Sequence, residues 1–140
     1  MKLSDKTKEV LYKAGWNEAR RIDATEYINH LVDAGYDVNE FAADFIERFG
    51  GLFIERPNSF FPDKKDIISF DAIEAEEGIY LESVKKLEEE IGEKLVVIGE
   101  ANRKFGFILV SSSGKFFSAF DDSLSLIGEN LAQVLDVLCE

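Results

Sequence analysis

The chain has 140 residues, 46% hydrophobic and 12% aromatic, with twelve phenylalanines. That suits one domain, residues 1–140, folding around one core, and it excludes a disordered chain. A net charge of −12, from 16 basic and 28 acidic side chains, repels phosphate backbones and attracts basic proteins, so direct nucleic-acid binding is not expected and docking to a cationic protein is.

The opening MKLSDKTKEVL turns charged before any apolar run develops, so no signal peptide is expected. Nowhere does an apolar stretch reach membrane-spanning length, which predicts a cytoplasmic protein with no membrane partner. Ser4 is placed to cap a first helix, with Val10, Leu11 and Ala14 at helical spacing and Gly15 to stop it. The single tryptophan, Trp16, follows that stop, with Arg20 and Arg21 close behind. A large ring there is expected to cover the joint between two helices, with Arg20 stacked on it or paired with a carboxylate and Arg21 facing solvent. Asp23 and Glu26 form a capping-box pattern for a second helix through Tyr27, Ile28, Leu31 and Val32, ended by Gly35. Asn39 opens a third, with Phe41, Ala42, Phe45, Ile46 and Phe49 on one face. Gly50 is expected to end that helix in a left-handed conformation, and Gly51 to let the backbone turn tightly into a strand.

From Leu52 the period changes. GLFIE and DIISFD are short apolar runs bounded by Pro57 and Pro62 and read as strands, with RPNSFFPDKKD as the loop between them. The acidic stretch DAIEAEEG follows as a solvated loop, and residues 79–91 resume helical spacing through Leu81, Val84, Leu87 and Ile91, closed by Gly92. Three further strands are predicted in KLVVIGEA, FGFILVSS and KFFSAF, the last two joined through Ser113 and Gly114 as a hairpin turn. A final helix, roughly 129–138, puts Leu131, Val134, Leu135 and Leu138 on one face. The pattern predicts an α+β fold: N-terminal helices, then a mixed or mainly antiparallel sheet with an inserted helix, then a C-terminal helix.

Catalytic constellations are thin. His30 is the only histidine, which excludes a multi-histidine metal site, and it lies one turn after Glu26 on a helix patterned for packing, so a structural role is expected. Cys139, the only cysteine, leaves no disulfide framework, and at a frayed terminus it lacks the base and ordered cleft a nucleophile needs. No nucleophile elbow, phosphate-cradling loop or dinucleotide fingerprint occurs; the glycines of 99–106 lack the spacing and the following helix. No catalytic residue, cofactor or metal is predicted. Carboxylates are the remaining resource: residues 57–93 carry 4 basic and 11 acidic side chains, a net −7. Asp71, Glu74, Glu76 and Glu77 lack the alternating spacing and central glycine of a calcium loop. Beside Ile73, Ile79 and Tyr80 they offer charge for steering and apolar area for affinity, so Asp71, Glu74, Glu76, Glu77 and Tyr80 are the predicted partner-binding residues.

Taken together, AGWNEARRID, ERFGGLFIE and the closing VVIGEA, GFILVSSSGKFF and LIGENLAQVLDVL resemble the SUKH superfamily, and within it the third subgroup. The pattern falls on Gly15, Trp16 and Arg20, on Phe49, Gly50, Gly51 and Leu52, on Ile98, Gly99 and Glu100, and on Ile127 and Gly128, in the right order over nearly the whole chain. The resemblance implies a small cytoplasmic α+β immunity protein that binds and blocks a cognate toxin of a bacterial polymorphic toxin system, commonly a nuclease or deaminase, with no catalysis and no cofactor. A toxin with a basic active site would complement the acidic surface. The matching residues shape the family's fold; toxin contacts vary with the partner and do not carry over. Monomer and homodimer both stay open, as do two other classes: a regulatory scaffold module, and an enzyme using the carboxylates.

Overall fold

The structure, a computed structural model, describes residues 1–58, 60–101, 106–120 and 123–140. Three helices come first: α1 (Asp5–Lys13), α2 (Thr25–Asp33) and α3 (Glu40–Phe49). The hairpin of β1 (Phe53–Pro57) and β2 (Lys65–Ser69) follows, then α4 (Ala72–Gly78) and α5 (Leu81–Ile91). The chain closes with β3 (Leu95–Ala101), β4 (Gly106–Ser111), β5 (Phe116–Phe120), β6 (Ser123–Gly128) and α6 (Leu131–Cys139). The strands form one sheet in chain order, every neighbouring pair antiparallel. The fold is therefore α+β, and the choice between mixed and antiparallel resolves to antiparallel. Ser59, within the expected loop, and Phe105, the expected start of the second late strand, lie outside the described residues.

Local chemistry accounts for most helix ends. Ser4 accepts from the Thr7 amide at 3.1 Å and Asn39 from the Ala42 amide at 2.9 Å, each satisfying a donor that α1 and α3 cannot. Gly15, Gly35 and Gly92 have φ of 101°, 103° and 72°, the left-handed stops expected after α1, α2 and α5. Two details differ. Asp23 does not cap α2; it accepts from the Thr25 amide and hydroxyl, and the cap position falls to Ala24, which makes no side-chain bond. Gly50 is not left-handed, with φ −56° and ψ 136°; it is glycine because a Cβ there would lie 2.5 Å from the Ile46 carbonyl oxygen. The left-handed residue is Gly51, at φ 83°.

Two elements lie outside the sequence expectation. DAIEAEEG is not a loop but α4, capped by Asp71, whose Oδ1 accepts from the Ile73 and Glu74 amides at 3.1 Å each. Alanine and glutamate are strong helix formers, but seven residues with only Ala72 and Ala75 buried leave too little apolar periodicity to read. Similarly, SLSLIG forms the edge strand β6, pairing Leu126 with Phe117 and Leu124 with Ala119.

The core is aromatic at its centre. Phe45 meets Phe70 edge-on at 4.9 Å, Phe49 at 5.1 Å and Phe116 at 5.7 Å, so α3 is bound to the sheet through its rings. Leu95, Val96, Val97 and Ile98 are buried in succession, so β3 is covered on both faces, whereas β1 and β2 alternate and cover only one. Beyond Val97 the register shifts, and Gly99 lets β2 close in: a Cβ there would meet the Ser69 carbonyl oxygen at 2.7 Å. Val32 and Phe41 are exposed despite sitting among the apolar positions of α2 and α3.

The C-terminus is not frayed. Arg56, itself buried in β1, donates to the Val137 and Leu138 carbonyls at 3.1 and 3.2 Å, satisfying acceptors at the end of α6. Asp136 accepts from the Thr7 hydroxyl at 2.6 Å and the Ser4 amide at 3.2 Å, which ties α6 to α1. Cys139 is thereby buried and its thiol pushed up to about 12 by desolvation, so the expectation of a frayed end is corrected.

Candidate functional site

The predicted docking residues divide by what each side chain does. Ala72 and Ala75 bury one face of α4, which packs on β3, and helical geometry turns Glu74 and Glu77 to solvent. Asp71 is committed to the cap. Glu76 points sideways to α2, where its Oε1 lies 2.5 Å from His30 Nε2. The partner of His30 is therefore this carboxylate, brought in from a distant element, and not Glu26 one turn before it. Tyr80 is 83% exposed at the junction of α4 and α5. The structure thus brings Glu74, Glu77 and Tyr80 to one exposed segment and turns Asp71 and Glu76 to holding that segment in place.

Carboxylates further along divide similarly. Glu88 accepts from the Leu95 amide at 2.8 Å and Glu93 from the Ser113 amide at 2.9 Å, fixing the turn into β3 and the β4–β5 hairpin. Hydrogen bonding to Ser113 holds the Glu93 carboxyl below its ordinary range. Glu82, Glu89 and Glu90 are exposed along α5, interspersed with Lys85 and Lys86.

Beside Tyr80 lies a groove of about 670 Å³ between α5 and the β4–β5 ladder, with Phe107 and Phe120 on the strand side and Lys86 and Glu90 on the helix side. Sequence reasoning missed Phe107 and Phe120, read only as strand residues. They stand far from Tyr80 in the chain, and no local pattern marks which strand residues will face a helix inserted two strands earlier.

The residues carrying the family resemblance also converge. Trp16 is buried between Tyr12, at 5.9 Å, and Phe49, at 5.5 Å, the rings nearly parallel. Arg20 neither stacks on that ring nor pairs with a carboxylate: its Nη1 donates to the Arg48 carbonyl and its Nη2 to the Gly50 carbonyl, each at 2.8 Å. The planar fork closes the end of α3, where unpaired carbonyls and the helix dipole favour a cation. Arg21 is exposed, as expected, 3.3 Å from Asp44. Leu52 is buried, its backbone carbonyl accepting from the Phe70 amide.

A family model described as SUKH-3 immunity protein matches residues 3–140. The chain belongs to the SUKH-3 immunity protein family. The match covers the N-terminal clasp of Trp16, Arg20 and Phe49, the acidic α4 and the C-terminal α6 alike. No curated protein and no solved structure matches the chain. Among the described residues no helix is long and apolar enough to cross a membrane, and no three His, Cys, Asp or Glu side chains are grouped to hold a metal ion.

Proposed function

We propose that this SUKH-3 protein is a cytoplasmic, non-catalytic inhibitor that binds its cognate toxin one to one and covers the toxin's cationic substrate cleft with the exposed face of α4 and the start of α5. A nuclease or deaminase of a bacterial polymorphic toxin system fits best, because an enzyme that acts on nucleic acid presents the positive field that this surface complements. The carrying observation is the division within α4: Ala72 and Ala75 are buried and Asp71 and Glu76 are hydrogen-bonded inward, while Glu74, Glu77 and Tyr80 are displayed outward. A rigidly held helix with an acidic outer face is preorganised for binding and loses little entropy on docking. The −7 carried by residues 57–93 adds steering, which speeds encounter by roughly tenfold to a thousandfold.

The test is co-expression with the toxin-like product encoded beside this chain's gene, comparing the native chain with Glu74→Lys/Glu77→Lys. Both positions are exposed, so folding is expected to survive. Association with the toxin should slow and become less salt-dependent, and growth protection should fall. Undiminished association and protection would move the interface off α4.

A further inference from the structure

Resting on the immunity reading above, we infer that the groove beside Tyr80 receives an arginine-bearing segment of the toxin, the guanidinium lying against aromatic faces and within reach of rim carboxylates. The floor is Phe107, framed by two glycines where the chain packs too closely for a side chain. A Cβ at Gly78 would sit 3.2 Å from the Phe107 ring, and Gly106 has φ 61° with the Ala119 carbonyl oxygen 2.3 Å from where its Cβ would be. The walls carry two exposed aromatics, Tyr80 at 83% and Phe120 at 51%. A monomeric fold gains nothing by leaving rings in solvent around a cleft, whereas aromatic anchors around a central pocket are the usual composition of a binding hot spot.

Charge selects the occupant. Glu90 lines the groove, and Glu100, cross-strand partner of Phe107, has its Oε2 3.7 Å from the Cβ position of Gly78. Among the described residues, Lys86 is the one cation that lines the groove. The flanking segment 71–93 holds nine carboxylates and two lysines, a net −7, so the local field disfavours an acidic occupant. Arginine suits the mixture of rings and carboxylates better than lysine, because its guanidinium is weakly hydrated, stacks on aromatic faces and still donates in its own plane. The volume of about 670 Å³ is typical of a site for several side chains rather than one atom group.

The probe is a blocked pentapeptide, acetyl-Gly-Arg-Gly-Arg-Gly-amide, followed by amide chemical shifts of the full chain, with its Glu counterpart as control. Saturable shifts should centre on Gly78, Tyr80, Phe107 and Phe120 with the Arg peptide and be absent with the Glu peptide. Glu90→Lys should weaken binding roughly threefold and Lys86→Glu tighten it by a similar factor, the scale of a single exposed charge. Shifts elsewhere, no saturable shift, an equal response to the Glu peptide, or a weakening by Lys86→Glu would overturn the assignment. With the toxin itself, full neutralisation by Tyr80→Ala/Phe120→Ser would overturn the groove and leave the immunity reading standing. Failure of the native chain to bind the toxin would remove that reading and the groove's occupant with it.

Discussion

Trp16 lies flat on Phe49, with ring centroids 5.5 Å apart and planes 13° apart, and Phe49 is the last residue of α3. The stack fastens the segment after α1 to the end of α3, where Arg20 closes the open carbonyls. Because Trp16 is only 4% exposed, Trp16→Ala should cost about 3–5 kcal/mol, as other buried aromatic truncations do. Trp16→Phe should cost much less. Urea midpoints of the two variants measure the difference, and equal losses would show that the ring's area is not what holds the joint.

Arg20 makes two charge-assisted bonds at 2.8 Å to carbonyls on either side of Phe49. A lysine keeps the charge but cannot reproduce the fork. Arg20→Lys should therefore lose about 1.5–3 kcal/mol, the value of one such bond. Recovery of the native midpoint by lysine would mean that charge alone closes the helix.

Two glycines should respond in opposite proportion to their dihedral angles. Gly92, at φ 72°, has nothing within 4 Å of its Cβ position, whereas Gly50, at an ordinary φ of −56°, faces the Ile46 carbonyl oxygen at 2.5 Å. Gly92→Ala should cost about 1–2 kcal/mol, the left-handed penalty. Gly50→Ala must move backbone and should cost more. Thermal melts that rank the pair the other way would refute the argument.

Asp136 couples stability to pH. The bond from the Thr7 hydroxyl, helped by the Ser4 amide, holds its carboxyl below the ordinary value of 3.8. The folded protein then takes up this proton less readily than the unfolded chain, so the contribution is complete above about pH 3.8 and is lost as pH falls through the lower folded value. Thr7→Val should be less stable than the native chain at pH 7, with a gap that narrows at low pH. Denaturation curves at neutral pH and at about pH 2.5 check this; a gap that widens in acid would be the wrong sign.

Cys139, buried with its thiol raised to about 12, should resist thiol reagents at pH 8 in the native protein and react at once in denaturant, because the thiolate is the nucleophile. Rapid native-state labelling would show that α6 opens readily.

The parts of the fold whose causes are local were legible in the residues themselves. Ser4 and Asn39 cap helices through amides three residues away, Gly15, Gly35 and Gly92 stop them through their own φ, and short apolar runs bounded by Pro57 and Pro62 mark β1 and β2. Charge counting similarly brought out the acidic segment from which Glu74, Glu77 and Tyr80 emerge as the exposed set. Seven residues of α4 and the uncharged edge strand β6 carried too little periodicity to stand out. Which carboxylates are displayed and which are used internally follows from long-range packing, since the partner of Glu76 is His30, 46 residues away. That packing alone gave Arg20 its acceptors, 28 and 30 residues on, and set Tyr80 beside Phe107 and Phe120 around one groove. A side chain's role at such a place depends on which distant backbone groups need a partner, and folding settles that through the packing of the whole core.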